Sequence, residues 1–443
     1  MVARAAVWFT VSMDLLTAND TLGQYPQSWY AATAETMAPF APLGGDINAD
    51  VCIVGAGYTG LSCALHLAQA GRKVVVLEAS RVGAGASGRN GGQLGSGQRV
   101  DQDSLEDMVG REDAAKLWSL AEDAKSLVRN LIAEHQIDCY LREGIAWMAE
   151  RDADAREMQE YPAFLQERYG YTQAQALNRA ETQALCPSPA YVGGCIDWGA
   201  GHLHPLRFAQ GLARAGVMAG ATIHENTRVT DVEDGLIRTG HGSVRADHTV
   251  LACNGYLGNL SGRVASRVMP INNFIAATAP LGARADEVLK EDVAVADGRF
   301  VINYFRLSHD KRLLFGGGET YGYRFPRDIA ALVRKPMLEI FPHLSDVPID
   351  YAWGGTLAIT MKRLPYLVKL SPRMLSASGY SGHGVGTATH AGALIAEAIC
   401  GQSNGFDTMS ALPSVPFPGG VRGRAPLLAL AMTWYGLRDR IGL

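Results

Sequence analysis

Residues 49–60 read Ala49-Asp50-Val51-Cys52-Ile53-Val54-Gly55-Ala56-Gly57-Tyr58-Thr59-Gly60, an apolar run that passes directly into Gly-x-Gly-x-x-Gly. At a strand-to-helix turn these glycines do separate work. Gly55 permits the tight turn, Gly57 lets a pyrophosphate approach the backbone, and Gly60 lets the helix pack closely on the strand. The helix N-terminus then presents unpaired N–H groups and the positive end of its dipole to the phosphates. The rest of the unit follows: a helix over 61–70, a turn at Gly71, a strand over Lys73–Leu77, and then Glu78, whose carboxylate can accept hydrogen bonds from ribose hydroxyls. The competing reading is a helix packed on a strand through small residues, and the completeness of the unit argues against it.

The fingerprint serves NAD and FAD alike, and two further features favour FAD. After Glu78 the chain runs Val82-Gly83-Ala84-Gly85-Ala86-Ser87-Gly88-Arg89-Asn90-Gly91-Gly92-Gln93. So much glycine suits backbone wrapped along a large flat ligand. The alternative, a mobile surface loop, fits less well with Arg89 and Asn90 at its centre. The second feature is a remote strand, glycine turn and helix over 376–400, whose first-turn N–H groups can stabilise negative charge on a reduced flavin.

A chain of 443 residues predicts two or three units with substantial cores. Hydrophobic residues at 47% and charged residues at 19% describe an ordinary globular protein. The net charge of −4 gives no footprint for a nucleic-acid partner. Seven scattered cysteines without a C-x-x-C pair suggest neither a disulfide framework nor zinc, and core packing is the reading for all seven. No apolar run reaches the roughly 18–20 residues of a membrane span, so a cytoplasmic location is expected and stable membrane insertion is not. Met13 is as good a start as Met1.

Residues 1–44 read as an extended, aromatic arm lying over the body, with the first regular element at Ala49. Residues 101–136 carry apolar residues at helical spacing, and 153–169 and 207–219 are further helices. Strands are expected over 144–148, 222–225, 228–233, 300–307, 312–315 and 374–378, with a strand pair over 244–253. The tail from Pro426 to Leu443 reads as an amphipathic segment packed on the body.

The chain resembles the D-amino-acid-oxidase-like family of FAD-dependent oxidoreductases, which includes glycine and sarcosine oxidases. The likeness runs from about Tyr25 to the C-terminus. It is carried by Tyr58-Thr59-Gly60-Leu61-Ser62, Glu78-Ala79-Ser80-Arg81, Gly85 through Gln93-Leu94, Gly201-His202-Leu203-His204-Pro205, Tyr304-Phe305-Arg306-Leu307, Leu314 through Gly318, Gly379 through Gly384 and Pro416 through Gly420.

The resemblance implies an α/β fold: a Rossmann-like FAD-binding domain from segments 45–100, 200–265 and 350–410, and an α+β substrate domain on an antiparallel sheet from 101–199 and 266–349, followed by a tail over 411–443. It implies cofactor contacts from Gly55, Gly57, Tyr58, Thr59, Gly60, Glu78, Ala79 and Ser80, and from the loop Ser87, Gly88, Arg89, Asn90, Gly91, Gly92, Gln93 and Leu94. Val229 corresponds to a residue whose backbone meets the adenine, while Trp353, Gly354, Gly382, His383 and Gly384 approach the flavin ring. Covalent members attach flavin through Cys or His, but the comparable positions here are Gly354-Gly355-Thr356 and the histidine-free 87–93, so noncovalent FAD is expected. The sarcosine oxidases carry an oxygen-activating lysine where this chain reads Gly316-Gly317-Gly318-Glu319, which leaves the final acceptor, oxygen or another, open.

The implied activity is oxidation of an amine C–N bond, with a gamma-glutamylated or related amine as substrate. The rivals are an amino-acid dehydrogenase passing electrons to a carrier and a noncatalytic FAD-binding subunit. Such chemistry needs placement more than a nucleophile. His383 is expected to touch flavin or substrate, or else to hold its loop as a neutral helix-terminus histidine. Arg306 offers its planar fork to a substrate carboxylate, with a structural ion pair as the alternative. Tyr304, Tyr380 and Trp353 are expected to wall the pocket, unless they are core.

Overall fold

The computed structural model describes residues 13–421, apart from Phe300, Tyr321 and the side chain of Glu319. The tail expected to pack on the body and the residues before Met13 lie outside the described residues.

Two sheets organise the chain. The first has the order 366–371, 374–378, 243–251, 47–54, 74–77, 222–224, with the hairpin of Val229–Glu233 and Leu236–Thr239 alongside 243–251. Strand Ile47–Val54 runs parallel to both its neighbours, Val74–Leu77 and Ser243–Leu251. The strand Val-Val-Val-Leu is buried at every position, the pattern of a strand covered on both faces. Helix Tyr58–Gln69 lies against helices Pro205–Met218 and Gly384–Ile399. The last contact is close because of Gly392, where an added Cβ would stand 2.3 Å from the Thr59 carbonyl oxygen. A central strand whose parallel neighbours leave in opposite directions opens a crevice at its carboxyl end, where such sheets bind ligands.

The second sheet has the order 349–359, 269–278, 313–320, 304–307, 294–297, 142–149, 193–202, 93–94, with 174–177 on 193–202. It is antiparallel except where Ala294–Asp297 runs alongside Arg142–Ala149. Helix Ile329–Ile340 covers it over a core in which the Phe305 ring stacks on Phe315 at 5.7 Å and meets Phe341 edge-on at 5.1 Å. The fold is therefore an α/β sheet unit joined to a second, largely antiparallel sheet.

Several expectations need adjusting. Strand Ile349–Ile359 pairs with Met269–Thr278 in the second sheet, so the segment expected to enter the first sheet at 350 joins it only at Tyr366. The strands Gln93–Leu94 and Gly193–His202 likewise belong to the second sheet. The helix expected over 101–136 is two, Gln102–Val109 and Arg111–Glu134, broken at Gly110, where φ is 84°. The strand pair over 244–253 is one strand, Ser243–Leu251, and the strand expected from Phe300 begins at Tyr304. A short helix, Trp29–Thr33, precedes the element expected first, and the Ser28 hydroxyl caps it by accepting from the Ala31 N–H. Cys400 is exposed and Cys253 half-buried, so core packing does not describe those two thiols. Among the described residues no helix is long and apolar enough to cross a membrane.

The described part of the arm lies on the body. Trp29 and Tyr30 are buried, the Tyr25 hydroxyl donates to the Val82 carbonyl, and the Phe40 N–H donates to Glu225.

Candidate active site

One continuous cavity of about 2710 Å³ runs between the two sheets. It begins at Glu78 and Val229, passes the turn Gly55–Thr59 and the loop Ser87–Gly91, and ends in a chamber beside His383.

At the first turn the backbone itself forms the wall. Gly55 has φ 108°, and a Cβ there would stand 2.8 Å from the Ala252 carbonyl oxygen. A Cβ on Gly57 would meet the Ser87 hydroxyl at 2.8 Å. That hydroxyl accepts from the Tyr58 N–H at 3.0 Å, tying the loop to the helix start. Gly57, the N-cap, offers no side-chain acceptor to the first turn. Gly60 does not line the cavity; a Cβ there would stand 1.9 Å from the Gly55 carbonyl oxygen, so its glycine serves the packing of the turn.

Each oxygen of the Glu78 carboxylate already accepts one backbone N–H, from Ala56 and from Ser80, both at 2.8 Å. Burial raises its pKa, against the N–H groups that lower it. The fixed carboxylate keeps lone pairs for ribose hydroxyls. Ala79, Ser80 and Val229 share this end.

The glycine-rich loop is ordered by its own side chains. The Asn90 amide donates to the carbonyls of Ala86 and Ser87 and accepts from the Gly92 N–H. Arg89 is buried; it donates to the Ala84 and Gly354 carbonyls and pairs with Asp20 of the arm at 2.9 Å. Arg89, Asn90, Gly91 and Gln93 line the cavity. Gly88, Gly92 and Leu94 do not: Gly88 and Gly92 face the backbone carbonyls of Gly83 and Leu203, and Leu94 is core.

At the far end, Gly382, His383 and Gly384 form the start of the last helix, where His383 is the N-cap and provides no side-chain cap. Gly382 has φ 91°, a conformation that favours glycine. A second helix start therefore opens toward the cavity. The His383 ring opens partly onto the chamber, and its Nε2 bonds the Gly97 carbonyl at 3.1 Å. Burial, with help from Arg99 and Lys125, pushes its pKa down to about 4, so it is neutral at physiological pH.

Not every expected residue reaches the chamber. The Arg306 guanidinium is buried and donates to the carbonyls of Gly91, Leu307 and Leu203 and to the Tyr30 hydroxyl. It lies behind the loop, committed to backbone, which corrects its assignment to a substrate carboxylate. Trp353 packs on Tyr30 and donates its indole N–H to the Arg89 carbonyl, again behind the loop. Gly354 faces Phe325, and its neighbour Gly355 lines the cavity instead. Tyr304 does line the cavity, with its hydroxyl donating to Asn273 Oδ1 at 2.5 Å. Tyr380 lines it too, and its hydroxyl is engaged with Thr59.

Sequence reasoning missed the turn Gly95-Ser96-Gly97 and Arg99 on the chamber wall, together with Trp118, Trp147, Tyr161, Phe164 and Asp197. The Asp197 carboxylate accepts from Ser96 and Tyr171, and the buried Lys125 donates to both of those hydroxyls. No signal in the sequence joins these positions, which come from five separate elements. Among the described residues no group of metal-binding side chains occurs.

A cradle of glycines that Cβ atoms would fill, a fixed acid at the strand end and two helix starts whose N-cap residues provide no side-chain cap fit FAD along the cavity. Comparison with known proteins agrees. The sequence is similar to a probable oxidoreductase OrdL of Rhizobium meliloti (strain 1021), at 44% identity over 93% of this chain and 97% of that one. It is also similar to the gamma-glutamylputrescine oxidoreductase of Escherichia coli (strain K12), at 41% identity over 95% of this chain and all of that one. In fold it is similar to the glycine oxidase of Geobacillus kaustophilus, with a TM-score of 0.68 and 22% identity over 80% of this chain and 94% of that one. Residues 50–398 match the family model described as FAD dependent oxidoreductase, and the chain belongs to that family.

Proposed function

We propose that this enzyme oxidises the carbon next to an amine nitrogen, with a gamma-glutamylated or related amine as its substrate. The observation that carries the reading is the single cavity, which joins the dinucleotide cradle to a chamber walled by Trp118, Trp147, Tyr161 and Phe164 and by the carboxylate of Asp197. Aromatic faces suit the apolar stem of an amine-bearing chain. The likeness to a gamma-glutamylputrescine oxidoreductase supports the same substrate class.

Bound FAD supplies the acceptor for the hydride that leaves the amine-bearing carbon. The chain's own part is placement. Its apolar walls disfavour the ammonium form and so present the neutral amine, whose lone pair assists hydride departure. His383, held neutral by burial and fixed through Nε2 on Gly97, positions the corner where cofactor and substrate meet. The imine product takes up water and yields an aldehyde with release of ammonia or an amine. FAD is held without a covalent bond, and oxygen or another acceptor restores it. Seven unbridged cysteines suit a reducing compartment, on which the cytoplasmic assignment rests.

The test is anaerobic bleaching of the yellow holoenzyme with gamma-glutamylputrescine, putrescine, simple alkylamines and α-amino acids. Reduction by gamma-glutamylputrescine at the greatest kcat/KM is expected. Preference for α-amino acids, without peroxide release in air, supports the dehydrogenase alternative.

A further inference from the structure

We propose that one lip of the cavity docks on an anionic lipid surface, whichever amine the enzyme oxidises. Segment 413–421 lies against the strands Met269–Thr278 and Ile349–Ile359: the Phe417 N–H donates to the Ser266 carbonyl at 2.8 Å, and the Phe417 side chain packs with Met269, Ile271 and Ile359. Two residues beyond Ile359 the chain turns through Met361-Lys362-Arg363, where the Arg363 N–H returns to the Thr360 carbonyl. Val421, Arg363, Ile359 and Ile271 all line the cavity, so this turn and this segment form its edge. Met361 and Val415 are 45% exposed and Val421 43%. Three of the six exposed large apolar side chains among the described residues therefore share one lip, whereas single scattered ones would need no explanation.

The charge contributed by this lip has one sign. It is built from three stretches, 248–285, 351–396 and 408–421, and none contains an aspartate or glutamate, although the whole chain has 44 acidic residues against 40 lysines and arginines. They bring Arg263, Arg267, Lys362 and Arg363 to this side, with Arg263 and Lys362 exposed. The Arg267 guanidinium lies over the Tyr366 ring and donates to the Arg263 carbonyl, while Arg263 donates to the Lys369 carbonyl, which places both arginines beside the anchor at Ser266. Lys369 is itself paired with Asp407. The chain continues past Val421 with Arg422 and Arg424 and meets no acid before Asp439. The other lip, from helices Gln102–Val109 and Asp152–Tyr169, brings Asp103, Glu157 and Glu160 to the cavity. A protein of net charge −4 is repelled as a whole by an anionic surface, so the favourable approach is the one with the basic lip forward. Its lysine and arginines then meet the headgroups, and Met361, Val415 and Val421 enter the boundary with the acyl chains.

The full chain with FAD bound is mixed with vesicles of phosphatidylcholine, or of phosphatidylcholine and phosphatidylglycerol in equal parts, and the sedimented fraction is measured. Binding to the anionic vesicles is expected, weakened by salt, with little on the neutral ones. Arg263→Gln combined with Lys362→Gln should weaken it about 25-fold, since each basic side chain at such a surface contributes about fivefold. Flavin content and anaerobic reduction in solution should not change in that variant. Lys116→Gln combined with Arg142→Gln, an equal change of charge elsewhere on the surface, should leave vesicle binding unaltered. Met361→Ser combined with Val421→Ser should weaken it at every salt concentration. Absence of binding to anionic vesicles, equal binding to both kinds, or an equal loss in the Lys116 and Arg142 pair overturns the proposal. So does a dimer in sedimentation velocity that ignores vesicles and dissociates in Met361→Ser with Val421→Ser, which assigns the lip to a second copy. Binding gained only on truncation after Val421 overturns it as well, because residues 422–443 then cover the lip. Failure of every amine to reduce the flavin removes the functional reading and leaves the vesicle result standing.

Discussion

The hydroxyl of Tyr380 meets that of Thr59 at 2.6 Å, both buried, although 321 residues separate them. This contact joins the first turn of the dinucleotide helix to the strand end that launches the last helix. The two helix starts that face the cavity are thus fixed relative to each other by side chains that are not free to act on substrate. Burial raises the Tyr380 pKa, so its hydroxyl keeps its proton.

Gly57→Val should yield folded protein without FAD. The added side chain begins 2.8 Å from the Ser87 hydroxyl and extends into the space of the pyrophosphate. The flavin absorption of the purified variant, read beside its far-ultraviolet circular dichroism, checks this. A fully yellow variant shows that the cofactor lies elsewhere.

Arg306→Met should destabilise the protein by about 2–4 kcal/mol, because the Gly91 and Leu203 carbonyls and the Tyr30 hydroxyl lose a charged donor in a buried setting. Denaturant unfolding measures the loss. The ratio of kcat/KM for carboxylate-bearing over simple amines should stay constant.

Acid precipitation should release all of the flavin. Cys253, on the cavity wall, donates its thiol to the Val54 carbonyl near the ribose end, and burial pushes its pKa up to about 12, so it is not a ready nucleophile. Fluorescence retained by the precipitate contradicts noncovalent binding.

The pH dependence separates substrate from protein. An alkylamine has a pKa of about 10.4, so the rate of anaerobic reduction at saturating amine should rise with pH and level off below that value. The inflection should follow the substrate's own pKa across a series of amines. His383 loses its proton near pH 4 and does not titrate in this range, so His383→Asn slows reduction yet keeps the inflection. Stability behaves differently. The unfolded histidine gains its proton near pH 6.5 and the folded one only near pH 4, so this side chain withdraws stability as pH falls between those values. His383→Asn should flatten the decline there and leave the pH dependence above it unaltered.

What could be read from the sequence was what backbone geometry demands locally. The run from Asp50 to Gly60, the acid at Glu78 and the glycine turn before Gly384 each carry their reason within a few residues. Arg306 shows where that reasoning stops. Its strand places it on the face of Tyr304, but only the fold brings Gly91 and Leu203 over it and leaves Tyr304 in the open. Trp353 is covered in the same way by the Arg89 backbone. Arg99 gave no signal, since an arginine in Gln98-Arg99-Val100-Asp101 reads as ordinary loop until Ser381 is placed beside it.

The arm forms part of the wall that a bound cofactor would have to pass. Residues 13–16, Asp20 and Leu22 form part of the cavity wall, and Asn19 is fixed by the backbone of Tyr323 and Phe325, more than 300 positions later. The segment is thus pinned from both sheets, by Ser80, Val82 and Arg89 on one side and by 323–325 on the other. When it lifts, the dinucleotide end of the crevice is open to solvent, and FAD can pass sideways. Once Asp20 reaches Arg89, departure of the cofactor requires that segment to peel away first. Retention thus becomes a matter of how often the arm detaches, and deleting it should make the holoenzyme exchange its flavin faster.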